Sequence, residues 1–132
     1  MNQLAKGSCL CKKVRFEIKL PTKWVAHCHC SMCRKFHGAG YVTWVGVENK
    51  NIRFTKGADL ITWYHSSKEA QRGSCSMCGS NFLFQSQQWP DEMHITLANF
   101  DTELDKKPQA NAYFSTHVDW MPIDDEIKKI WK

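Results

Sequence analysis

The chain has 132 residues, which is enough for one domain over residues 1–132 and excludes a two-domain arrangement. Hydrophobic residues make up 42% and charged residues 23%, as in globular proteins, and the lack of a membrane-spanning run or secretory signal predicts a cytoplasmic protein without a membrane partner. The formal net charge of +5 would by itself suggest an acidic partner such as nucleic acid.

Alternation of apolar and polar residues predicts that the regular secondary structure of the chain is mostly β-strand. The segment that begins at Val14 alternates with charged residues and stops at Pro21, as a strand with one buried face does. The run that begins at Tyr41 is rich in β-branched and aromatic residues, which favours a buried strand. The strands predicted in the first half of the chain are residues 14–20, 24–26, 41–47 and 52–54.

Helix is predicted at two places only. Residues 31–37 suit a helical turn that is opened by Ser31 and closed by Gly38. Residues 124–129 are acidic first and basic last, which predicts a short C-terminal helix. The strands predicted in the second half are residues 60–65, 71–74, 81–85, 93–97 and 111–116. Short strands at close intervals with so little helix predict an all-β fold, a sandwich or a barrel.

Seven cysteines are the most informative feature of the composition, because they occur in three close groups. The groups are a CxC at Cys9 and Cys11, a CxCxxC at Cys28, Cys30 and Cys33, and a CxxC at Cys75 and Cys78. An odd number without an export signal argues against a disulfide framework, whereas closely spaced thiolates favour Zn²⁺. A redox CxxC at Cys75 and Cys78 is an alternative, although no βαβ pattern surrounds it.

The number of cysteines equals the four ligands of a closed structural zinc site plus the three of an open catalytic one. The first and third groups each adjoin a predicted short strand, so we predict that they share one zinc and that the middle group forms a second, incomplete site. A fourth ligand from His27, His29 or His37 would instead close that second site. Seven ionised thiols and two Zn²⁺ would lower the net charge from +5 to +2, which weakens the case for a nucleic-acid partner.

Three motifs occur in series: GSCLCKKVRFEI at 7–18, CHCSMCRKFHGAG at 28–40 and RGSCSMCGSNFLF at 72–84. Together they resemble the glutathione-dependent formaldehyde-activating enzyme family, also called the centromere-protein-V-like family, with a looser match at 111–120. The resemblance implies an all-β, zinc-binding fold of the Mss4-like kind, a β-sandwich or barrel with little helix. Lys12 stands where the family usually has glycine, and Ser74 where it often has phenylalanine, but neither change removes a ligand.

The resemblance also implies how the cysteines divide. It places a structural zinc on Cys9, Cys11, Cys75 and Cys78, and a catalytic zinc on Cys28, Cys30 and Cys33. Three thiolates suit a soft fourth ligand, such as the thiol of a glutathione cosubstrate, better than they suit the generation of hydroxide. The implied activity is that of a zinc-dependent carbon–sulfur lyase, which adds a glutathione-type thiol to formaldehyde or a related small electrophile, or catalyses the reverse. The alternative is a non-catalytic zinc module that binds protein or nucleic acid.

Further residues are predicted to serve such a reaction. His37 is the predicted proton donor, with His29 and His117 as alternatives. Arg34 and Lys35 are predicted either to bind the carboxylates of a glutathione-like thiol or to neutralise the thiolates. The aromatic residues Trp44, Trp63, Phe82 and Phe84 are predicted to belong to the core rather than to a pocket.

Overall fold

Eleven β-strands and one α-helix make up the computed structural model, which describes residues 3–132. The strands are β1 (Leu4–Ser8), β2 (Arg15–Lys19), β3 (Trp24–Cys28), β4 (Val42–Glu48), β5 (Ile52–Lys56), β6 (Ile61–His65), β7 (Ala70–Cys75), β8 (Asn81–Ser86), β9 (Glu92–Thr96), β10 (Ala110–Ala112) and β11 (Lys128–Ile130). The helix α1 covers Ser31–His37. None of the helices in this part of the chain approaches the length and apolarity needed to cross a bilayer.

The strands form two sheets that enclose the main core. A three-stranded sheet has the order β1-β2-β5, and an eight-stranded sheet has the order β11-β10-β3-β4-β9-β8-β7-β6. Their apolar faces meet in one cluster, in which Phe16 of the small sheet stacks on Phe82 of the large one with ring centroids 6.0 Å apart. The predicted all-β fold with little helix is confirmed.

The large sheet has a second face, which points away from the main core. On β4, Val45 and Val47 point into the core, so Trp44 and Gly46 point to the opposite side. Antiparallel pairing places Trp24 opposite Gly46, and Cys28 lies four residues further along β3. Side chains alternate along a strand, so Cys28 reaches this same outer face at the point where β3 ends.

The helix at residues 31–37 is confirmed, and its caps show why it forms there. Gly38 closes it in the left-handed conformation, with φ +61°, as predicted. The N-cap is Cys30 rather than Ser31, and its side chain accepts a hydrogen bond from the backbone N–H of Cys33. The helix start and the second cysteine group are therefore one structural unit.

Two predicted elements near the C-terminus are wrong. The proposed helix at 124–129 is not formed; Lys128–Ile130 is instead strand β11, which pairs in parallel with β10. Six residues are too few for an isolated helix, and the free edge of β10 offers backbone partners. The strand predicted at 111–116 ends after Ala112, because Tyr113 has a φ of +54° and turns the chain.

Strand β1 was missed, since LAKGS has no strong alternation and depends on pairing with β2.

Candidate metal centres and active-site cavity

The first and third cysteine groups meet at one end of the core, as predicted, and we call Cys9, Cys11, Cys75 and Cys78 the quartet. Their four sulfur atoms all lie within 4.8 Å of one another. The Sγ–Sγ distances are 3.5 Å between Cys9 and Cys11 and 3.8 Å between Cys11 and Cys75. A tetrahedron with Zn–S bonds of 2.3 Å has edges of about 3.8 Å, so the donor set fits a zinc ion.

Two tight turns bring the quartet together. After β1, the backbone N–H of Lys12 donates to the carbonyl of Cys9 over 3.1 Å, and Lys12 takes a φ of +64°. Glycine adopts this left-handed conformation without strain, which agrees with the glycine that the family resemblance implies at this position. After β7, the N–H of Gly79 donates to the carbonyl of Cys75 over 2.8 Å, with φ +80° at Gly79. The quartet therefore joins the small sheet to the large one through two knuckles.

The middle group, which we call the trio, consists of Cys28, Cys30 and Cys33. Its sulfur atoms also lie within 4.8 Å of one another, and within residues 3–132 no histidine, aspartate or glutamate supplies a fourth ligand atom to the group. Two of the histidines considered as a fourth ligand form a hydrogen bond elsewhere through one ring nitrogen, while Nδ1 of His29 and Nε2 of His37 are buried without a hydrogen-bond partner. Nδ1 of His27 lies 2.8 Å from Thr43 Oγ1, and Nε2 of His29 lies 2.8 Å from Asn111 Oδ1. The trio therefore fits an ion that keeps one position open.

The three thiols of the trio strongly affect one another's ionisation. The pKa of Cys30 is lowered to about 2, above all because Cys28 and then Cys33 hydrogen-bond to its sulfur. The pKa of Cys28 is raised, first by its hydrogen bond to Cys30, then by that to Cys33 and by burial. A trio without a cation therefore favours one thiolate over three, and a divalent cation would displace the remaining protons.

A cavity of about 320 Å³ opens beside the trio and is lined by all three of its cysteines. It lies on the outer face of the large sheet, opposite the main core, and strand alternation determines which side chains reach it. Glycine at position 46 makes room for the ring of Trp24 on this face, because a Cβ there would overlap that ring. The trio is thus accessible from a preformed cavity.

Arg72 on β7 places a positive charge in contact with a sulfur atom of the trio. It is only 3% exposed, and its Nη1 donates to Cys33 Sγ over 3.5 Å. Its guanidinium carbon lies 4.8 Å from the ring centroid of Phe84 and 5.5 Å from that of Phe36. The ion pairs among residues 3–132 do not include Arg72. A buried guanidinium needs a counter-charge, and the thiolates of the trio provide it.

The three histidines predicted as proton donors lie outside the lining of the cavity. His37 packs against Trp44, and burial, followed by the charge of Arg72, lowers its pKa to about 4. His29 is 1% exposed and held by Asn111. His117 stacks on Phe114 with centroids 4.0 Å apart.

The residues predicted to bind substrate lie outside the cavity, whereas some of those predicted for the core line it. Arg34 and Lys35 lie on α1 outside the cavity lining, and Nε of Arg34 donates to the carbonyl of His29 over 3.2 Å. Phe82 and Trp63 belong to or pack against the main core, as predicted. Trp44 is buried in a second, smaller hydrophobic cluster on the outer face, and Phe84 packs against that cluster. Both also line the cavity, so for these two residues the predicted choice between core and pocket does not hold.

One cavity residue with acid–base character was missed. His94 on β9 lines the cavity, and its Nε2 lies 3.0 Å from Glu92 Oε1, while Glu92 also pairs with Lys23 over 2.5 Å. The hydrogen bond from His94, then that from Lys23, lowers the pKa of Glu92 to about 2, and burial lowers the pKa of His94. The signal in the sequence was the spacing of Glu92 and His94 on one strand face.

Comparison with known proteins agrees with the cysteine motifs. A family model described as "Glutathione-dependent formaldehyde-activating enzyme" matches residues 4–116. A Halomonas elongata protein named "Putative glutathione-dependent formaldehyde-activating enzyme" is 27% identical over 128 residues, covering 92% of this chain and 82% of the relative. An uncharacterized lyase of Schizosaccharomyces pombe is 22% identical over 137 residues, covering 96% and 97%. The crystal structure of a Rhodobacter sphaeroides protein aligns with a TM-score of 0.64 at 25% identity, covering 76% of this chain and 91% of that one.

Proposed function

We propose that this chain, which belongs to the glutathione-dependent formaldehyde-activating enzyme family, is a zinc-dependent carbon–sulfur lyase. The observation that supports the proposal most is the trio itself: three cysteines line one cavity, and no fourth ligand from the described residues completes their site. The reaction joins a glutathione-type thiol to formaldehyde or a related small electrophile, or runs in reverse. The names of the two relatives, one of them a lyase, agree with this class of reaction.

The two cysteine clusters would hold one zinc each. The quartet would hold the structural ion with four sulfurs, and Cys28, Cys30 and Cys33 would hold the second. When bound at the trio, zinc supplies a Lewis acid with a vacant position suited to a soft thiolate. Three thiolates and Zn²⁺ carry a net charge of −1, which the guanidinium of Arg72 would balance.

Side chains of the cavity would then transfer the proton that the addition requires. Addition forms a C–S bond, breaks the π bond of C=O and moves one proton from sulfur to oxygen. We assign this transfer to His94, the histidine that lines the cavity and whose Nε2–H donates to Glu92. It lies level with Trp24, four strand positions from Cys28, so the proton would cross the cavity between the trio and His94. Burial keeps His94 neutral at pH 7, the form that a base needs.

The other residues predicted from the sequence keep a lower rank in this proposal. A proton-transfer role for His37 stays a prediction, and its place outside the cavity lining is why we propose His94 first. Carboxylate binding by Arg34 and Lys35 stays a prediction too. The same holds for the cytoplasmic location.

The proposal is tested by following ¹³C-formaldehyde and glutathione with the zinc-loaded protein by exchange NMR. We expect faster interconversion of free glutathione and S-(hydroxymethyl)glutathione than in buffer. Cys30→Ser should abolish the acceleration, and His94→Gln should reduce it by a factor of about 10²–10⁴, as loss of a general base does. His65→Gln, at an exposed histidine of β6, is the matched control and should behave like wild type.

Failure of the protein to accelerate the exchange while it holds two zinc ions would overturn the proposed reaction. Equal rates for Cys30→Ser and wild type would remove the trio from it. Wild-type rates in His94→Gln would transfer the proton role to another group.

A further inference from the structure

We infer that the cavity beside the trio selects an electrophile that carries an aromatic group, so that the preferred substrate is an aromatic aldehyde rather than formaldehyde. This inference rests on the proposed function, because it names the electrophile of the same site. Four features carry it: the size of the cavity, the side chains of its walls, the alanines of its floor and the charges around it.

The cavity is larger than formaldehyde requires. Its volume of about 320 Å³ lies at the lower end of the range for drug-sized ligand sites. An engineered apolar cavity of about 150 Å³ is sufficient for benzene. Formaldehyde has two heavy atoms, so even beside the sulfur of a thiol bound at the trio it would leave most of this volume to water, whereas a substituted benzene ring would fill much of it.

The walls of the cavity are aromatic. Six of its lining residues are Trp24, Trp44, Phe84, Trp89, Tyr113 and Trp131. The rings of Trp24 and Trp131 stand nearly perpendicular, at 86° with centroids 6.1 Å apart, and Trp89 lies 5.1 Å from Trp131. Rings at such angles present both edges and faces, which is the arrangement that a bound aromatic ring prefers.

Small residues make the room between these walls. Ala26 on β3, Ala70 on β7 and Ala112 on β10 all line the cavity and are at most 9% exposed. Larger apolar side chains at these outward-facing positions would fill the space with protein atoms. The volume of the cavity therefore depends on alanine at these positions of β3, β7 and β10.

The charges of the lining favour a neutral ligand group. Among the described residues that line the cavity, the permanently charged ones are Glu69 and Arg72. Arg72 donates from Nη1 to Cys33 and lies over the Phe84 ring, while its Nε has no partner among the described residues. Its charge is therefore balanced by the trio and not by a ligand carboxylate. The charged part of a glutathione-like thiol would therefore stay at the mouth, and the cavity itself would receive the apolar part of the adduct.

The experiment compares two unreactive thioethers, S-benzylglutathione and S-methylglutathione, by isothermal titration calorimetry with the zinc-loaded protein. We expect the benzyl thioether to bind at least tenfold more tightly. In the activity assay with glutathione, we expect kcat/KM for benzaldehyde to exceed that for formaldehyde at least tenfold.

Two tryptophans provide a matched pair of variants. Trp131→Leu removes a cavity wall at a residue that is 43% exposed, and it should reduce the benzyl preference several-fold. Trp120→Leu changes a 69% exposed tryptophan outside the cavity lining and should retain the preference. Ala70→Leu, which fills the cavity without removing a ring, should also lower benzyl affinity.

The outcomes separate the inference from the function on which it rests. Equal binding of both thioethers, with formaldehyde turned over at least as well as benzaldehyde, overturns the inference and leaves the lyase proposal intact. Tight benzyl binding without turnover of either aldehyde overturns the lyase reaction and, with it, the aldehyde substrate. Loss of the preference in Trp120→Leu as well as in Trp131→Leu also overturns the assignment of the cavity.

Discussion

The quartet and the trio are built from the same side chain but differ in how the chain supplies it. The quartet takes Cys9 from the turn after β1 and Cys75 from the end of β7, so it joins two sheets. The trio comes from one short stretch, residues 28–33, where β3 runs into α1. The quartet has four sulfurs, whereas the trio has three and lines a cavity.

The difference shows that sequence separation and ligand number determine what a cysteine cluster contributes. An ion in the quartet would close a loop of more than sixty residues, so its binding energy would become folding energy. An ion in the trio would close only a local turn, whose helix is already capped by Cys30 and Gly38. We therefore expect the first cluster to determine stability and the second to determine reactivity.

The largest effect should come from exchanging one cysteine in each cluster. Cys78→Ser removes a structural ligand, and because a structural zinc contributes about 10 kcal/mol or more in small domains, the variant should be largely unfolded. Cys30→Ser should keep the fold, lose one of two zinc ions and lose activity. Circular dichroism, metal analysis and the exchange assay measure the three properties, and identical behaviour of the two variants would end the distinction between the clusters.

A smaller effect should follow from removing the counter-charge of the trio. Arg72→Met keeps an apolar stem in the buried site, and loss of such a supporting contact commonly costs a factor of about 10–100 in metal affinity. Competition with a zinc chelator should show weaker binding at the trio and unchanged binding at the quartet. The control is Arg53→Met, since Arg53 is exposed and pairs with Glu17 over 2.6 Å. A similar loss in both variants would contradict the role of Arg72.

Two glycines sharpen the comparison further: Gly79 ends the turn that carries Cys75 and Cys78, and Gly38 ends helix α1, which begins in the trio. Gly79 and Gly38 have φ values of +80° and +61°, and a Cβ at either position would meet no atom within 4 Å. Alanine should therefore cost only backbone strain, about 1 kcal/mol. Chemical denaturation should detect this cost in both variants, while zinc affinity should fall at the quartet only for Gly79→Ala and at the trio only for Gly38→Ala. The opposite pattern would contradict the assignment of turns to clusters.

The smallest effect should be on stability, from removing the charge of Glu92, the partner of the cavity residue His94. The pKa of Glu92 is lowered to about 2 in the folded protein, against 4.5 for an ordinary glutamate. Its stabilising contribution is therefore complete above pH 4.5 and is lost as the pH falls towards 2. Glu92→Gln should destabilise the protein by about 1 kcal/mol at pH 7, since partial solvent access weakens the pair, and by less at pH 3.5. Thermal unfolding measures the difference, and Glu48→Gln on β4 is the control; a loss that does not depend on pH would contradict the ionic origin.

The sequence predicted the metal clusters better than the cavity, for a physical reason. Two cysteines at CxC or CxxC spacing can bind the same ion only if the chain turns tightly between them, so the spacing indicates such a turn directly. The end of α1 could also be predicted from local sequence, because Gly38 closes the helix. Cysteine spacing therefore identified the three groups, whereas the pairing of the first group with the third was a proposal that the family resemblance also implied.

The cavity could not be predicted in the same way, because its walls come from seven different regions of the chain. Trp44 and Phe84 look like core residues in any strand, and only the order of strands shows that they face outward. His94 joins them through the pairing of β9 with β4. The error over residues 124–129 had the same source, since the edge of β10 that β11 occupies is created by tertiary structure.

Strand β11 carries a consequence for how proteins of this family can diverge. Trp131 follows β11 directly and lies beyond residues 4–116, the part that the family model matches. All seven cysteines, in contrast, lie within that part. A related chain can therefore exchange its last segment and change one wall of the cavity while all seven cysteines stay in place.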